Sequence, residues 1–291
     1  MNNREVKVSV VIPAFNASAY IKSTIESVLN QSMTDFEIII VDDWSDDYSE
    51  LEKLIAELDD QRVKLYRLEQ KGNGAVARNK GVALSSGNVI AFLDADDLWH
   101  PNKLTTQLSM LEPGIVVSCA SKVQLREGGE ENVVSEYKPE LNVSLNLFGA
   151  LRHNLVLQTS TIMLYKSDFE RSGGYDERLG RHQDFQLVFS LENSGCRFKV
   201  CDQVLSYYIK SRTTDVNKKW SIENSSLFLS HYACHFDRIT LRNFLVVQLF
   251  GPSLKTQSLS KWLELARHHK VGYLSLVSCV IRYVLTRLWN K

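Results

Sequence analysis

Two short runs, VKVSVVIP (Val6–Pro13) and FEIIIVDD (Phe36–Asp43), restrict the fold of this chain more than anything else in it. FEIIIVDD in particular is too apolar for a strand with one wet face, so it has to be covered on both sides. RVKLYRLE and GNVIAFLDADD supply a third and a fourth β-rich run. Between the runs lie stretches of helical period. SAYIKSTIESVLNQS sets Ile21, Ile25, Val28 and Leu29 on one face, and SELEKLIAELDD and GAVARNKGVALSSG continue the alternation. Strands buried on both faces and alternating with helices predict an α/β fold, with a mostly parallel central sheet flanked by helices and joined by right-handed crossovers. In such sheets ligands gather at the carboxyl ends of the strands. Those ends read Pro13-Ala14-Phe15-Asn16, Asp42-Asp43 and Asp94-Ala95-Asp96-Asp97.

The pattern is more mixed from about residue 103 to 212. GIVVSCASKVQLREGGEENVVSEYK reads as a hairpin about Gly128-Gly129, and LQTSTIMLYK as a strand before the turn SGGYDE. RHQDFQLVFSLENSG reads as a helix closed by Gly195, and RFKVCDQVLSYYIK as a pair of short strands. From about Lys218 the chain turns helical. Its last stretch, VGYLSLVSCVIRYVLTRLWNK, is apolar but carries Arg282, Arg287 and Lys291. Charges at bilayer depth are expensive, so a spanning helix is disfavoured. Two readings stay open: an amphipathic helix lying on a membrane surface, or a helix packed on the domain.

Composition removes several function classes. Lys+Arg and Asp+Glu number 34 each, so no global charge draws the chain to nucleic acid. The five cysteines are scattered and never spaced C-x-x-C, which argues against a zinc ribbon or a disulfide framework and fits a reducing compartment. The N-terminal MNNREVKVSVVIP has too short an apolar run for a signal peptide, so a cytoplasmic protein is expected.

The acidic strand ends need an explanation. One aspartate after a strand is accounted for by capping the next helix, and Pro101 marks a good helix start here. Three carboxylates in four positions are not. Like charges a few ångströms apart oppose each other's ionisation, and a divalent cation that also carries substrate phosphates removes that cost. Asp42 and Asp43 form a second acidic strand end, suited to accepting hydrogen bonds from a base or ribose, while Asp46 and Asp47 read as caps of the following helix.

SVVIPAFNASAYIKSTIESVLNQS, FEIIIVDDWSDD, GAVARNKGVALSSGNVIAFLDADDLWHPNKL, SGGYDE and HQDF fall in an order and spacing that resembles family 2 glycosyltransferases, the inverting enzymes of the GT-A fold. The resemblance covers about residues 5 to 210. It implies a GT-A domain over 1–215, with a nucleotide-binding half at 1–105 and an acceptor half at 106–215, and a C-terminal helical region at 216–291. Pro13, Ala14 and Phe15 match the segment that lies along the nucleotide, and Asp43, with Asp42 beside it, the position that accepts from the uracil ring. Arg78 sits in a motif similar to the family's ARN, near the nucleotide pocket; a structural ion pair to an acidic strand end is its other reading. Asp94 and Asp96 form the D-x-D pair, Asp96 resembling the direct ligand of Mn²⁺ or Mg²⁺ and Asp94 the residue that contacts ribose or metal-bound water; Asp97 extends the pair to D-x-D-D. Asp184 matches the general base of the family's ED motif, and Gln183 departs from its usual glutamate. Trp44 is a second departure, either a wall of the base pocket or packing on the sheet.

The resemblance therefore implies a metal-dependent inverting transferase moving sugar from a UDP-sugar to an acceptor hydroxyl, giving a β-glycoside. By family analogy the acceptor is a lipid-linked or other saccharide, such as a polyprenyl-diphosphate sugar of bacterial O-antigen or surface polysaccharide synthesis, with peripheral contact at the inner face of the cell membrane through the C-terminal helices. A catalytically inactive sugar-nucleotide-binding scaffold or sensor is the alternative. A dinucleotide-dependent oxidoreductase is disfavoured, because PAFNASAY stands where G-x-G-x-x-G is needed.

Overall fold

A computed structural model describes residues 7–125, 130–131, 138, 143–148, 157–210 and 221–289. They form two compact units, one of residues 1–135 with 155–214, the other of residues 136–154 with 215–291. The second unit thus takes in a piece of the middle of the chain as well as the C-terminal helical stretch.

The first unit is built on a nine-stranded sheet. Strands β1 (Val8–Ala14), β2 (Phe36–Asp42), β3 (Val63–Arg67) and β4 (Val89–Phe92) alternate with helices α1 (Ile21–Leu29), α2 (Tyr48–Leu58) and α3 (Gly74–Leu84). These four strands stand in the order β3-β2-β1-β4 and are all parallel, with Val8 opposite both Phe36 and Val89. Every residue of β2 is buried, as its uninterrupted apolar run requires. Its one internal carboxylate, Glu37, is matched by the Ser9 hydroxyl at 2.6 Å and Lys64 Nζ at 2.8 Å.

Beyond β4 the sheet becomes mixed. After the two-residue β5 (Leu98–Trp99) and α4 (Lys103–Leu108) comes β6 (Ile115–Leu125), which pairs antiparallel with the short β7 (Glu130–Glu131). The expected turn at Gly128-Gly129 between them lies outside the described residues. LQTSTIMLYK is a strand only over β8 (Met163–Tyr165); Thr159–Thr161 coil into a single 3₁₀ turn. That turn keeps Ser160 and Thr161 buried beside the β4 end. The pair of short strands expected in RFKVCDQVLSYYIK is one strand, β9 (Arg197–Lys210). The break in its pattern is a local register shift against β6, around Ala120 and Ser121, and not a turn. Helices α6 (Lys166–Arg171) and α7 (Gln183–Asn193) complete the unit. Gly195, at φ +86°, ends the last turn of α7 as the sequence suggests.

The second unit is helical: α5 (Val143–Phe148), α8 (Ile222–Tyr232), α9 (Arg238–Phe244), α10 (Gly251–Lys255), α11 (Leu259–His268) and α12 (Tyr273–Trp289). Phe148, Phe228, Phe236 and Phe244 form its aromatic centre, with ring centroids 5.1 Å apart for Phe148 and Phe244. Between α9 and α10 the coil widens to π geometry over Leu245–Phe250. Pro252, which lacks an N–H and whose ring crowds the preceding turn, gives the reason.

Candidate active site

The carboxyl ends of β1, β2 and β4 bring the sequence-predicted residues together at one edge of the first unit. At the β1 end the Ala14 carbonyl accepts the Asp43 N–H at 2.8 Å, so Ala14 and Asp43 are locked side by side. Phe15 stands out from the edge, 41% exposed, with Lys71 Nζ 3.9 Å from its ring centroid. Asp43 accepts the Gly72 N–H at 2.6 Å, and burial raises its pKa above the usual carboxylate value against the opposing pull of that bond and of Lys71.

Asp42 behaves differently from its neighbour. Its carboxylate is fully buried, accepts the Ser45 N–H at 3.1 Å and lies 3.4 Å from Arg67 Nε. Its side chain is turned inward and shapes the loop after β2, while its Oδ1 accepts no hydrogen bond from a described residue. Asp46 and Asp47 do not cap α2. Asp47 accepts the Ser18 N–H at 2.9 Å, and the Asp46 N–H donates to Asn16 Oδ1 at 2.9 Å, fastening the loop after β1 to the loop after β2. Between these fastenings Trp44 takes a left-handed backbone (φ 61°) and projects 46% exposed, with Arg67 stacked 4.7 Å from its ring. Of its two readings, packing on the sheet is ruled out.

The Asp94–Asp97 loop has divided labour. Asp97 is wholly buried, accepting the Ser160 hydroxyl at 2.6 Å and the Ile209 N–H at 3.2 Å. Burial, with Asp94 and Asp96 close by, pushes its pKa well above the ordinary range. It anchors β9 and the 3₁₀ turn to the β4 end. Ser160 Oγ also accepts the Asp94 N–H at 3.1 Å, and the Thr24 hydroxyl donates to the Ala95 carbonyl at 2.7 Å. With its backbone held at these points, the loop leaves the Asp94 and Asp96 side chains half-buried.

Arg78 joins this loop to the far side of the edge. Carried on α3 and buried, it donates to Asp94 Oδ1 at 2.5 Å and to Gln183 Oε1 at 2.9 Å. The structural ion pair is thus present, and it doubles as a bridge. Burial works against the Arg78 charge, but the Asp94 carboxylate outweighs it and raises the pKa. Gln183 in turn donates to the Leu179 carbonyl at 2.6 Å and to Asn73 Oδ1 at 3.4 Å. A glutamate could accept from Arg78 but could donate to neither, which accounts physically for the amide. Asn73 caps α3 through the Ala75 and Val76 N–H groups. The chain passes closely here: a Cβ on Gly74 would fall 2.8 Å from Arg78 Nη1.

Asp184, one residue into α7, has its Oδ1 held by the Phe185 N–H at 2.9 Å. Burial, assisted by Asp94, raises its pKa from 3.8 to about 6. It is ionised at neutral pH yet far more basic than an exposed aspartate, as proton abstraction requires. His182 takes a left-handed backbone before the helix, is buried and stacks on Phe185 at 5.6 Å; burial and Arg181 push its pKa well down, so it stays neutral. The GGYDE turn is docked on α3 by Asn79, which donates to the Tyr175 carbonyl and to Glu177 Oε1, both at 2.9 Å.

Among the described residues no three His, Cys, Asp or Glu side chains converge as a ready metal cage, His231 and His235 included. What the β4 loop offers is two half-buried carboxylates, a donor set that suits a hard cation brought in with phosphate oxygens. Sequence reasoning missed Ser160 and Asn73 and gave no role to Asn79. Asn73 carried a signal as an N-cap residue directly before a helix start, and Asn79 as the last residue of the ARN motif.

Residues 9–172 match the model of glycosyl transferase family 2. The amylovoran biosynthesis glycosyltransferase AmsB of Erwinia amylovora is 32% identical over 286 residues, covering 91% of each chain. The E. coli UDP-Glc:alpha-D-GlcNAc-diphosphoundecaprenol beta-1,3-glucosyltransferase WfgD is 41% identical over 104 residues, 36% of this chain and 40% of WfgD. Among solved structures, S. aureus TarS 1–349 in complex with UDP-GlcNAc superposes with a TM-score of 0.65 at 19% identity, covering 89% of this chain and 79% of TarS 1–349. At that identity the likeness speaks for the fold, which is GT-A-like.

Proposed function

This chain belongs to glycosyl transferase family 2, and on that premise we propose that it transfers a sugar from a UDP-sugar, with a divalent cation, to a hydroxyl of a diphosphate-lipid-linked saccharide, inverting the anomeric carbon. That it is a glycosyltransferase follows from the family; donor, cation, acceptor and stereochemistry are the proposal. One observation carries it. Arg78 hydrogen-bonds both Asp94, at the strand end suited to a diphosphate, and Gln183, the residue before Asp184, so the donor side and the base are held in one bonded chain.

The residues divide the work as follows. Asp43 accepts from the base of the nucleotide, and Phe15 with Lys71 forms a wall beside it. Asp94 and Asp96 hold Mn²⁺ or Mg²⁺, which when bound supplies Lewis-acid stabilisation of the leaving diphosphate. Asp184 takes the proton of the acceptor hydroxyl as its oxygen attacks the anomeric carbon from the face opposite the leaving UDP, a contribution of about 10²–10⁴-fold. Arg78 stays fixed and sets the distance between the two ends of the reaction. The relative whose name states a diphosphoundecaprenol-linked substrate supports the acceptor class.

The C-terminal helix supports a membrane contact for such an acceptor. α12 packs Leu276, Cys279 and Tyr283 inward and presents Leu274 (83% exposed), Ile281 (53%) and Leu285 (56%) outward, with Tyr273, Val277 and Val284 on the same side. Residues 266–291 hold five Lys or Arg and no Asp or Glu, in a chain of zero net charge. An apolar face on a stretch of basic sequence suits an anionic lipid surface. No described helix is long and apolar enough to cross a membrane.

The test is UDP release from a panel of UDP-sugars, with and without Mn²⁺ or Mg²⁺, and with a lipid-diphosphate GlcNAc acceptor. Turnover that needs metal and is lost in Asp96→Ala and Asp184→Asn is expected. Full transfer by Asp96→Ala would refute the metal assignment. Binding of UDP without turnover of any donor would favour the sensor.

A further inference from the structure

Among the described residues of the first unit, the arginines that are at least partly buried are paired with a carboxylate, with one exception beside Asp184. Arg62 is forked onto Asp60 and Arg178 onto Asp176, each with a closest N···O distance of 2.7 Å, and Arg78 and Arg171 each reach one carboxylate oxygen, of Asp94 at 2.5 Å and of Asp168 at 2.7 Å. Arg181 is the exception. It lies half-buried in the loop entering α7, three residues before Asp184. Its Nε is buried with no hydrogen-bond partner, and no hydrogen bond or ion pair to a described residue engages the rest of its guanidinium. Burial draws its pKa down, and the only groups pulling it back are Asp184 and Tyr208, which attract it without touching it.

A desolvated cation with unfilled donors is unfavourable in a folded chain. Such a cost is tolerated where a ligand supplies the missing acceptors. Three features narrow the ligand. A guanidinium offers a planar fork that matches phosphate or carboxylate oxygens in pairs. Its neighbour His182 is buried and neutral, so it offers no charge of its own to an anion at this end of the site. Arg78, the other cation near Asp184, is already spent on Asp94 and Gln183. The transfer proposed above brings a diphosphate into this edge in every cycle, on the leaving nucleotide, and a second one on a lipid-linked acceptor.

We propose that Arg181 is an anion-binding residue of this site, its guanidinium taking phosphate oxygens of a diphosphate bound next to Asp184. The inference rests on the reading of the site as a sugar-nucleotide transferase. The diphosphate comes from the nucleotide or from the acceptor, and the two sources are separable by experiment.

The experiment uses the full chain as wild type, Arg181→Gln and Arg181→Lys. Calorimetry measures binding of inorganic pyrophosphate and of UDP in the presence of Mg²⁺. Steady-state kinetics compares a lipid-diphosphate GlcNAc acceptor with an alkyl GlcNAc glycoside that lacks phosphate. Arg181→Gln is expected to weaken pyrophosphate about 10- to 100-fold, the range for charge-assisted hydrogen bonds, with Arg181→Lys in between. Its Tm should hold or rise, since an unmatched buried cation has been removed. Equal weakening of UDP assigns the nucleotide as source. Unchanged UDP binding, with the KM of the diphosphate acceptor rising to that of the glycoside, assigns the acceptor. Pyrophosphate, UDP and both KM values within twofold of wild type would overturn the proposal, as would a fall in Tm with unaltered ligand binding, which marks a structural arginine. If no donor is turned over by the wild type, the transferase reading fails, while the pyrophosphate and UDP measurements still decide the role of Arg181.

Discussion

Asp184→Asn is expected to make the protein more stable at neutral pH while abolishing its turnover. In the fold the Asp184 carboxyl titrates at about 6 instead of 3.8, so the folded chain holds a proton that the unfolded chain releases. Between those values stability falls as pH rises, and above about 6 the full cost of keeping the charge half-buried is present. A gap of about two pKa units corresponds to ~3 kcal/mol at 1.36 kcal/mol per unit. The group keeps part of its solvent, so about 1–3 kcal/mol is the expected gain on neutralising it. The asparagine oxygen can still accept the Phe185 N–H, so no bond need be lost. For a chain of this size that gain raises Tm by several degrees. Thermal unfolding of the ligand-free protein at pH 7.5 and pH 4.5 reads it: the variant should lead clearly at the higher pH, and its lead should shrink to about a third at the lower. Glu37→Gln is the control of opposite sign. Glu37 is held down to about 2, despite burial, by Lys64, Ser9 and Ser86; its stabilisation is full above about 4.5 and is lost as pH falls toward 2, so the glutamine should cost stability at pH 7.5. An Asp184→Asn protein less stable than wild type at pH 7.5, or one whose advantage ignores pH, would refute the view of Asp184 as a strained, basic carboxylate. In wild type, kcat/KM should fall on the acid side with an apparent pKa near 6.

Gln183→Glu removes the donors to Leu179 and Asn73 and sets a second carboxylate beside Asp184, so the acid limb of the pH–rate profile should move above that of wild type. Gly74→Ala places its methyl 2.8 Å from Arg78 Nη1; a turnover loss of about tenfold or more is expected with UDP affinity, read by calorimetry, little changed, because the bridge and not the nucleotide pocket is displaced. Asp97→Ala strands the Ser160 hydroxyl and the Ile209 N–H in a buried site, at a cost of about 2–4 kcal/mol by chemical denaturation. Ile281→Glu with Leu285→Glu should abolish co-sedimentation with anionic vesicles and leave Tm unchanged, since both side chains are exposed; undiminished co-sedimentation would refute the lipid contact.

The parts of this protein that could be read from its sequence are those fixed by local pattern. β1 to β4 and the helices between them were legible because each strand is covered on both faces and each helix has one apolar side, so period alone separates them. The second half of the sheet was less so, because its features arise from pairing across distance. β9 looked like two strands because its register slips against β6, and the 3₁₀ turn looked like strand because three of the four residues Thr159–Ile162 are β-branched. The same division runs through the site. Acidic strand ends drew attention to Asp43, Asp94 and Asp96, and the resemblance to the family's ED motif to Asp184, whose charges stand at strand or helix ends. Asp42 has identical chemistry one residue from Asp43 but an inward direction, and direction is set by the Ser45 turn and Arg67, neither of which a spacing rule sees.

Gln183 shows why such a departure is better read as geometry than as loss of function. By pattern an amide in place of a carboxylate beside the base suggests a weakened site. In the fold that amide is the one group there able to accept from Arg78 while donating to Leu179 and Asn73. A carboxylate would strengthen the first contact and turn the other two into repulsions. It would also add charge next to Asp184, whose pKa burial and Asp94 already raise. A base pushed further up would be protonated over more of the neutral range, so the neutral residue keeps Asp184 basic and still ionised. The Arg78 bridge and the pKa of Asp184 are therefore coupled through one side chain, and a substitution at residue 183 should move both together.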